Sequence, residues 1–145
     1  MTDIKIGGRT IPMLFTTFEM IAIQQDIGCT AAELREQVFG IVEYEDNPDE
    51  TRITVIEDPE KLNKLGKLIR ILGNAGLEES GKDPDLTDKW VLRNMKPAFV
   101  TGYAVLAMTE IIEGMSMESP ALEEQEQGPV DEVLEEQNAK KGQGN

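Results

Sequence analysis

The sequence predicts a mostly α-helical domain of about five helices, with one or two small β-hairpins of which the first is N-terminal, followed by a disordered acidic tail. Three observations carry this. Two Thr-x-x-Glu capping boxes, at Thr16/Glu19 and Thr30/Glu33, stand at the heads of helix-like runs. A Gly7-Gly8 pair separates two short runs of alternating apolar residues, DIKI and RTIPMLF. Composition changes near residue 115: residues 1–115 hold 20 acids, 12 bases and all seven aromatics, whereas 116–145 hold eight acids, two bases and no aromatic.

In chain order, glycine tolerates the positive φ that a two-residue hairpin turn needs, so DIKIGGRTIPMLF reads as a hairpin. TTFEMIAIQQDIG follows as a helix stopped by Gly28, and AAELREQVF as a second helix ending before Gly40. Residues 41–45 and 52–56 read as two strands around the turn residues Asn47, Pro48 and Asp49. Asp58-Pro59 supplies an N-cap and first-turn proline. The helix after it places Leu62, Leu65, Ile69 and Leu72 on one face, with Gly73 and Gly76 crowding its end. DKWVLRN starts after Thr87, and Pro97 opens the most apolar helix, to about Met115. The domain is read as 1–115. The tail, 116–145, has too little apolar surface to offset the entropy of ordering. Within it VDEVLEE spaces Val130, Val133 and Leu134 as a nascent helix would.

Composition narrows the function. The 145 residues carry a net charge of −14, which opposes binding to nucleic acid or an anionic membrane except as a mimic of nucleic acid. Without histidine, Ser-His-Asp and Cys-His arrangements are impossible. The one cysteine, Cys29, rules out an intramolecular disulfide and a thiolate zinc site; it reads as a small buried residue in a reducing cytosol. Residues 1–5 lead straight into polar, turn-forming sequence, which predicts no signal peptide. The longest apolar run, 97–112, contains Glu110 and is short of the roughly 18 uncharged residues of a membrane span.

Two motifs imitate sites. GLEESGKD, 76–83, spells a phosphate loop up to its last letter, where Asp83 replaces the magnesium-binding hydroxyl. A helix precedes it where a strand is needed, so it reads as a helix end with Gly76 or Gly81 as the left-handed cap. EYEDNPDE gathers five acids, but neither register from Glu43 or Glu45 gives an EF-hand its glycine and terminal glutamate, so it reads as a solvated turn. No catalytic constellation and no cofactor or metal site emerges.

Binding surfaces are the stronger theme. Lys61, Lys64, Lys67 and Arg70 recur every three residues. Glu57 and Glu60 stand four ahead of the first two, so the stripe reads first as a solvated face, with the unpaired Lys67 and Arg70 as the candidate partner contacts. The helix after Pro97 is apolar almost all round, and TTFEMIAIQQDIG spreads Phe18, Met20, Ile21, Ile23 and Ile27 over more than one face. Phe18, Ile21, Phe99 and Tyr103 are therefore read as apolar partner contacts, beside Val130, Val133 and Leu134 in the tail.

The order of KIGGRTIPMLF, TTFEMIAIQQDIG, ILGNAGLEESGKDPDLTDKWVLRNMKP, an apolar helix and an acidic end resembles the tail assembly chaperones of long-tailed phages, over roughly residues 4–115. The resemblance implies a non-enzymatic protein without catalytic or cofactor residues. It implies action in the cytoplasm of the bacterial host: coating the hydrophobic tape measure protein, delivering tail tube subunits, self-associating, and staying out of the mature virion. It also implies a longer product of ribosomal frameshifting, for which Lys140-Lys141-Gly142 offers a candidate slippery tract. The alternative is an acidic DNA mimic that inhibits or regulates a DNA-handling enzyme, supported by charge density alone.

Overall fold

Gly7 and Gly8, at φ 59° and 76°, close the predicted two-residue turn between β1 (Thr2–Ile6) and β2 (Arg9–Met13). Positive φ at both positions is the primed turn whose twist matches the strands. The antiparallel register sets Ile4 against Ile11 and Thr2 against Met13. Period-two alternation then sends Ile4, Ile6, Ile11 and Met13 into the core and leaves Lys5 and Thr10 outside. The structure, a computed structural model, describes residues 1–39, 41–44, 47–53 and 58–116.

Both capping boxes form. Thr16 caps α1 (Thr17–Asp26), its hydroxyl accepting from Phe18 N while Glu19 accepts from Thr16 N at 2.9 Å. Gly28, at φ 87°, ends that helix. In the second box Thr30 Oγ1 accepts from Glu33 N, and the Glu33 carboxylate accepts from Thr30 N at 2.8 Å. The segment they open is not the regular α-helix expected. A 3₁₀ turn (Ala31–Glu33) runs into a π turn (Arg35–Phe39). The sequence explains the change. Leu34, Val38 and Phe39 are all apolar, and α-helical spacing would turn Phe39 away from Leu34. The wider i→i+5 turn keeps Val38 and Phe39 on the side of Leu34, and all three are buried.

The second hairpin pairs β3 (Ile41–Tyr44) with β4 (Asn47–Ile53). Its expected turn is corrected. Tyr44 opposes Asn47, so Asn47, Pro48 and Asp49 begin the strand instead of making the bend. Glu45, residues 54–56, the 116–145 tail beyond Ser116, its VDEVLEE helix and the Lys140-Lys141 tract lie outside the described residues.

The central element is α2 (Pro59–Glu79), capped by Asp58 with proline in its first turn. Its 21 residues span roughly 31 Å. Leu65, Leu68, Ile69 and Leu72 are fully buried, and Leu62 is half-buried. Gly73 and Gly76, expected to crowd the end of the helix, lie inside it, because α2 runs on to Glu79. They are points of close approach: a Cβ on Gly73 would meet Leu86 at 2.6 Å, and one on Gly76 would meet the Pro12 carbonyl oxygen at 1.8 Å. β2 therefore crosses α2 backbone on backbone, and Leu14 N donates to Leu72 O at 3.0 Å.

Of the two caps the sequence offers, Gly81, at φ 76°, is the stop. Lys82 N donates to Leu77 O at 2.8 Å and Gly81 N to Glu78 O at 3.0 Å, the paired bonds of a Schellman cap. GLEESGKD is thus the last turn of a helix and its cap. The Asn74 side chain then holds the following loop, donating to Leu86 O at 3.1 Å and accepting from Leu86 N at 2.9 Å. Thr87 caps α3 (Asp88–Asn94), and a 3₁₀ turn (Pro97–Phe99) leads into α4 (Val100–Gly114).

Candidate interaction surfaces

The apolar residues of α1 and its C-cap spread over more than one face and go to two destinations. Ile23 and Ile27 enter the core, whereas Phe18 is 76% exposed and Ile21 is 50% exposed. Phe18 lies on the rim of a groove of about 380 Å³ between α1 and α2, whose walls include Ala22, Ile71, Asn74 and Pro84.

α4 is not buried all round, as its composition suggests. Val100, Tyr103, Ala104, Ala107 and Ile111 pack inward. The outer stripe, two turns apart, is Val105 and Ile112, with Ile112 62% exposed and Met115 just beyond. Phe99, in the turn before α4, is 56% exposed. Of the predicted contacts, Phe18, Ile21 and Phe99 are at the surface. Tyr103 is corrected: at 8% exposure it anchors α4 from within. Val130, Val133 and Leu134 lie outside the described residues.

Lys67 and Arg70 are also corrected. They are not free cations, because both converge on Asp88, at the start of α3. Lys67 Nζ donates to Asp88 Oδ2 at 3.0 Å, and Arg70 Nε donates to Asp88 Oδ1. Arg70 further donates to Asp26 Oδ2 at 3.2 Å, joining α1, α2 and α3. Sequence spacing finds pairs within one helix, such as Glu60–Lys64 at 3.2 Å, but not partners 18 or 44 residues away.

Burial alone would push the Asp88 carboxyl up, but hydrogen bonds from Lys67 and Arg70 and their charges outweigh it, and its pKa lies below the ordinary value. A carboxyl held low in the fold contributes stability above its unfolded pKa of about 3.9 and loses it as pH falls through the folded value. Asp88→Asn is expected to cost about 1 kcal/mol at neutral pH, allowing for partial exposure. Below about pH 4 the loss should shrink as the wild type itself protonates, and urea midpoints across pH measure it.

Glu110 is the functional-looking residue that sequence reasoning passed over. In the sequence it is only the charge that interrupts the apolar run 97–112; in the fold it is 3% exposed. Its Oε2 accepts from Phe15 N at 3.1 Å, and its Oε1 has no hydrogen-bond partner among the described residues. It ties α4 to the β2–α1 junction, where Gly114 also lies against Phe15. Nothing in its spacing signals this, because its donor is a backbone group 95 residues away. Cys29 is buried as expected, and burial is the main influence raising its thiol pKa. Among the described residues no group of carboxylates and cysteine forms a metal cluster, and no helix is long and apolar enough to cross a membrane.

No protein family, curated protein or solved structure matches the chain.

Proposed function

We propose that the protein is a non-enzymatic tail assembly chaperone of a long-tailed phage, which holds the tape measure protein and tail tube subunits during tail morphogenesis. The observation that carries this reading is the pairing of exposed apolar faces, Phe18 and Ile21 on α1 and Val105 and Ile112 on α4, with a net charge of −14. Apolar faces of this kind give an aggregation-prone client something to hold, and the charge keeps the complex dispersed. The resemblance in element order supports the same reading.

The DNA mimic needs rows of free carboxylates. Within the domain many are otherwise engaged: Glu19, Glu33 and Asp58 in caps, Asp26, Glu60, Asp85 and Asp88 in ion pairs, and Glu110 in the interior.

The test is coexpression with the tape measure protein of the same phage. The wild-type chain should keep that protein soluble and copurify with it. Phe18→Ser/Ile21→Ser or Val105→Ser/Ile112→Ser should weaken the complex about tenfold or more without loss of thermal stability, since all four side chains are exposed. An insoluble tape measure protein that never copurifies would refute the proposal.

A further inference from the structure

One groove carries the opposite charge to the molecule around it. A cavity of about 360 Å³ lies between the Gly7-Gly8 turn, the end of α3 and the start of α4, and Lys5, Arg93, Lys96, Phe99 and Tyr103 line it. No carboxylate is among its lining residues. Elsewhere Arg9, Lys64, Lys67 and Arg70 are held by carboxylates, while Lys61, Lys82 and Lys89 stand unpaired among the described residues but do not line this groove. Lys5, Arg93 and Lys96 are exposed, and none makes a hydrogen bond or ion pair among the described residues. Their charge is thus uncompensated in a chain with 28 acids against 14 bases. Phe99 adds an exposed aromatic face at the rim.

We infer that this groove binds an acidic peptide segment of a partner protein, with its carboxylates on Lys5, Arg93 and Lys96 and an apolar side chain against Phe99. Charge complementarity selects the occupant. A nucleic acid strand would run its phosphates beyond three cations onto an acidic surface, where repulsion opposes it. A short peptide places its charges where the cations are and ends there. No residue of α1 lines the groove, and neither Val105 nor Ile112 does, so its ligand is separate from the client of those faces.

Fluorescence anisotropy of the full chain tests this, with a fluorescein-labelled synthetic peptide, Asp-Glu-Leu-Glu-Glu-Phe-Glu, as probe. Saturable binding below about 1 mM is expected, weakening as salt rises. Lys5→Gln, Arg93→Gln and Lys96→Gln should each weaken it about threefold and the triple variant about thirtyfold, as expected for exposed ion pairs. Phe99→Ala should weaken it while leaving the salt dependence intact. All four side chains are exposed, so the variants should keep the wild-type unfolding temperature. Absence of saturable binding, equal affinity for the triple variant, or tighter binding of a single-stranded oligonucleotide than of the peptide would each overturn the inference.

Discussion

Gly76→Ala is expected to destabilise the domain by about 3 kcal/mol or more, the upper range for overpacking. The added Cβ would stand 1.8 Å from the Pro12 oxygen and 2.4 Å from its carbon. Both obstacles are backbone. They cannot rotate aside, because β2 is fixed by its register with β1 and by the Leu14–Leu72 hydrogen bond. Relief would require the hairpin to lift from α2, exposing Ile11 and Met13. Gly66→Ala is the control. Its Cβ would meet only the Leu92 side chain, Cδ2 at 2.7 Å and Cγ at 2.9 Å, and a half-buried side chain can shift where a backbone cannot. Alanine also favours the helix over glycine by about 0.5–1 kcal/mol, which offsets part of the strain. Urea unfolding of the two variants should separate them widely. Equal midpoints would mean that β2 does not cross α2 at Gly76.

Leu72→Ala should cost about 2–5 kcal/mol, the range for a buried leucine whose surroundings relax only partly. Leu72 has no exposed surface and lies on the α2 face against the N-terminal hairpin, where Leu14 N bonds to its carbonyl. Leu62, ten residues earlier on the same helix, is half-buried, and Leu62→Ala should cost clearly less. The difference in thermal unfolding between the two reads the depth of the core along α2. A similar loss at both positions would contradict the described burial.

Much of this architecture was legible because its signals are local. Capping boxes, the Gly7-Gly8 turn and the Asp58-Pro59 start act over a few residues and appear as the sequence predicts. The misreadings share the opposite cause. Gly73 and Gly76 look like a helix end until β2 is known to lie against them. Asn47, Pro48 and Asp49 look like a turn until Tyr44 is found opposite Asn47. Lys67 and Arg70 look free until Asp88 folds back onto them, and the role of Glu110 is invisible until Phe15 N reaches it. Each was decided by a partner remote in sequence or by strand register. Of the apolar contacts, Phe18, Ile21 and Phe99 do reach the surface. Tyr103 does not, because an apolar helix packed on one side must bury half of its residues, and composition does not say which half.

The chaperone proposal is tested most directly by the salt dependence of its complex. The full chain would be purified with the tape measure protein and the complex followed by sedimentation from about 0.1 M to about 1 M salt, where the screening length falls from about 10 Å to about 3 Å. A client held on Phe18, Ile21, Val105 and Ile112 should remain bound throughout, and be lost when those residues become serine. A complex that dissociates with salt and ignores the serine substitutions would contradict the proposal and place the interaction on charge.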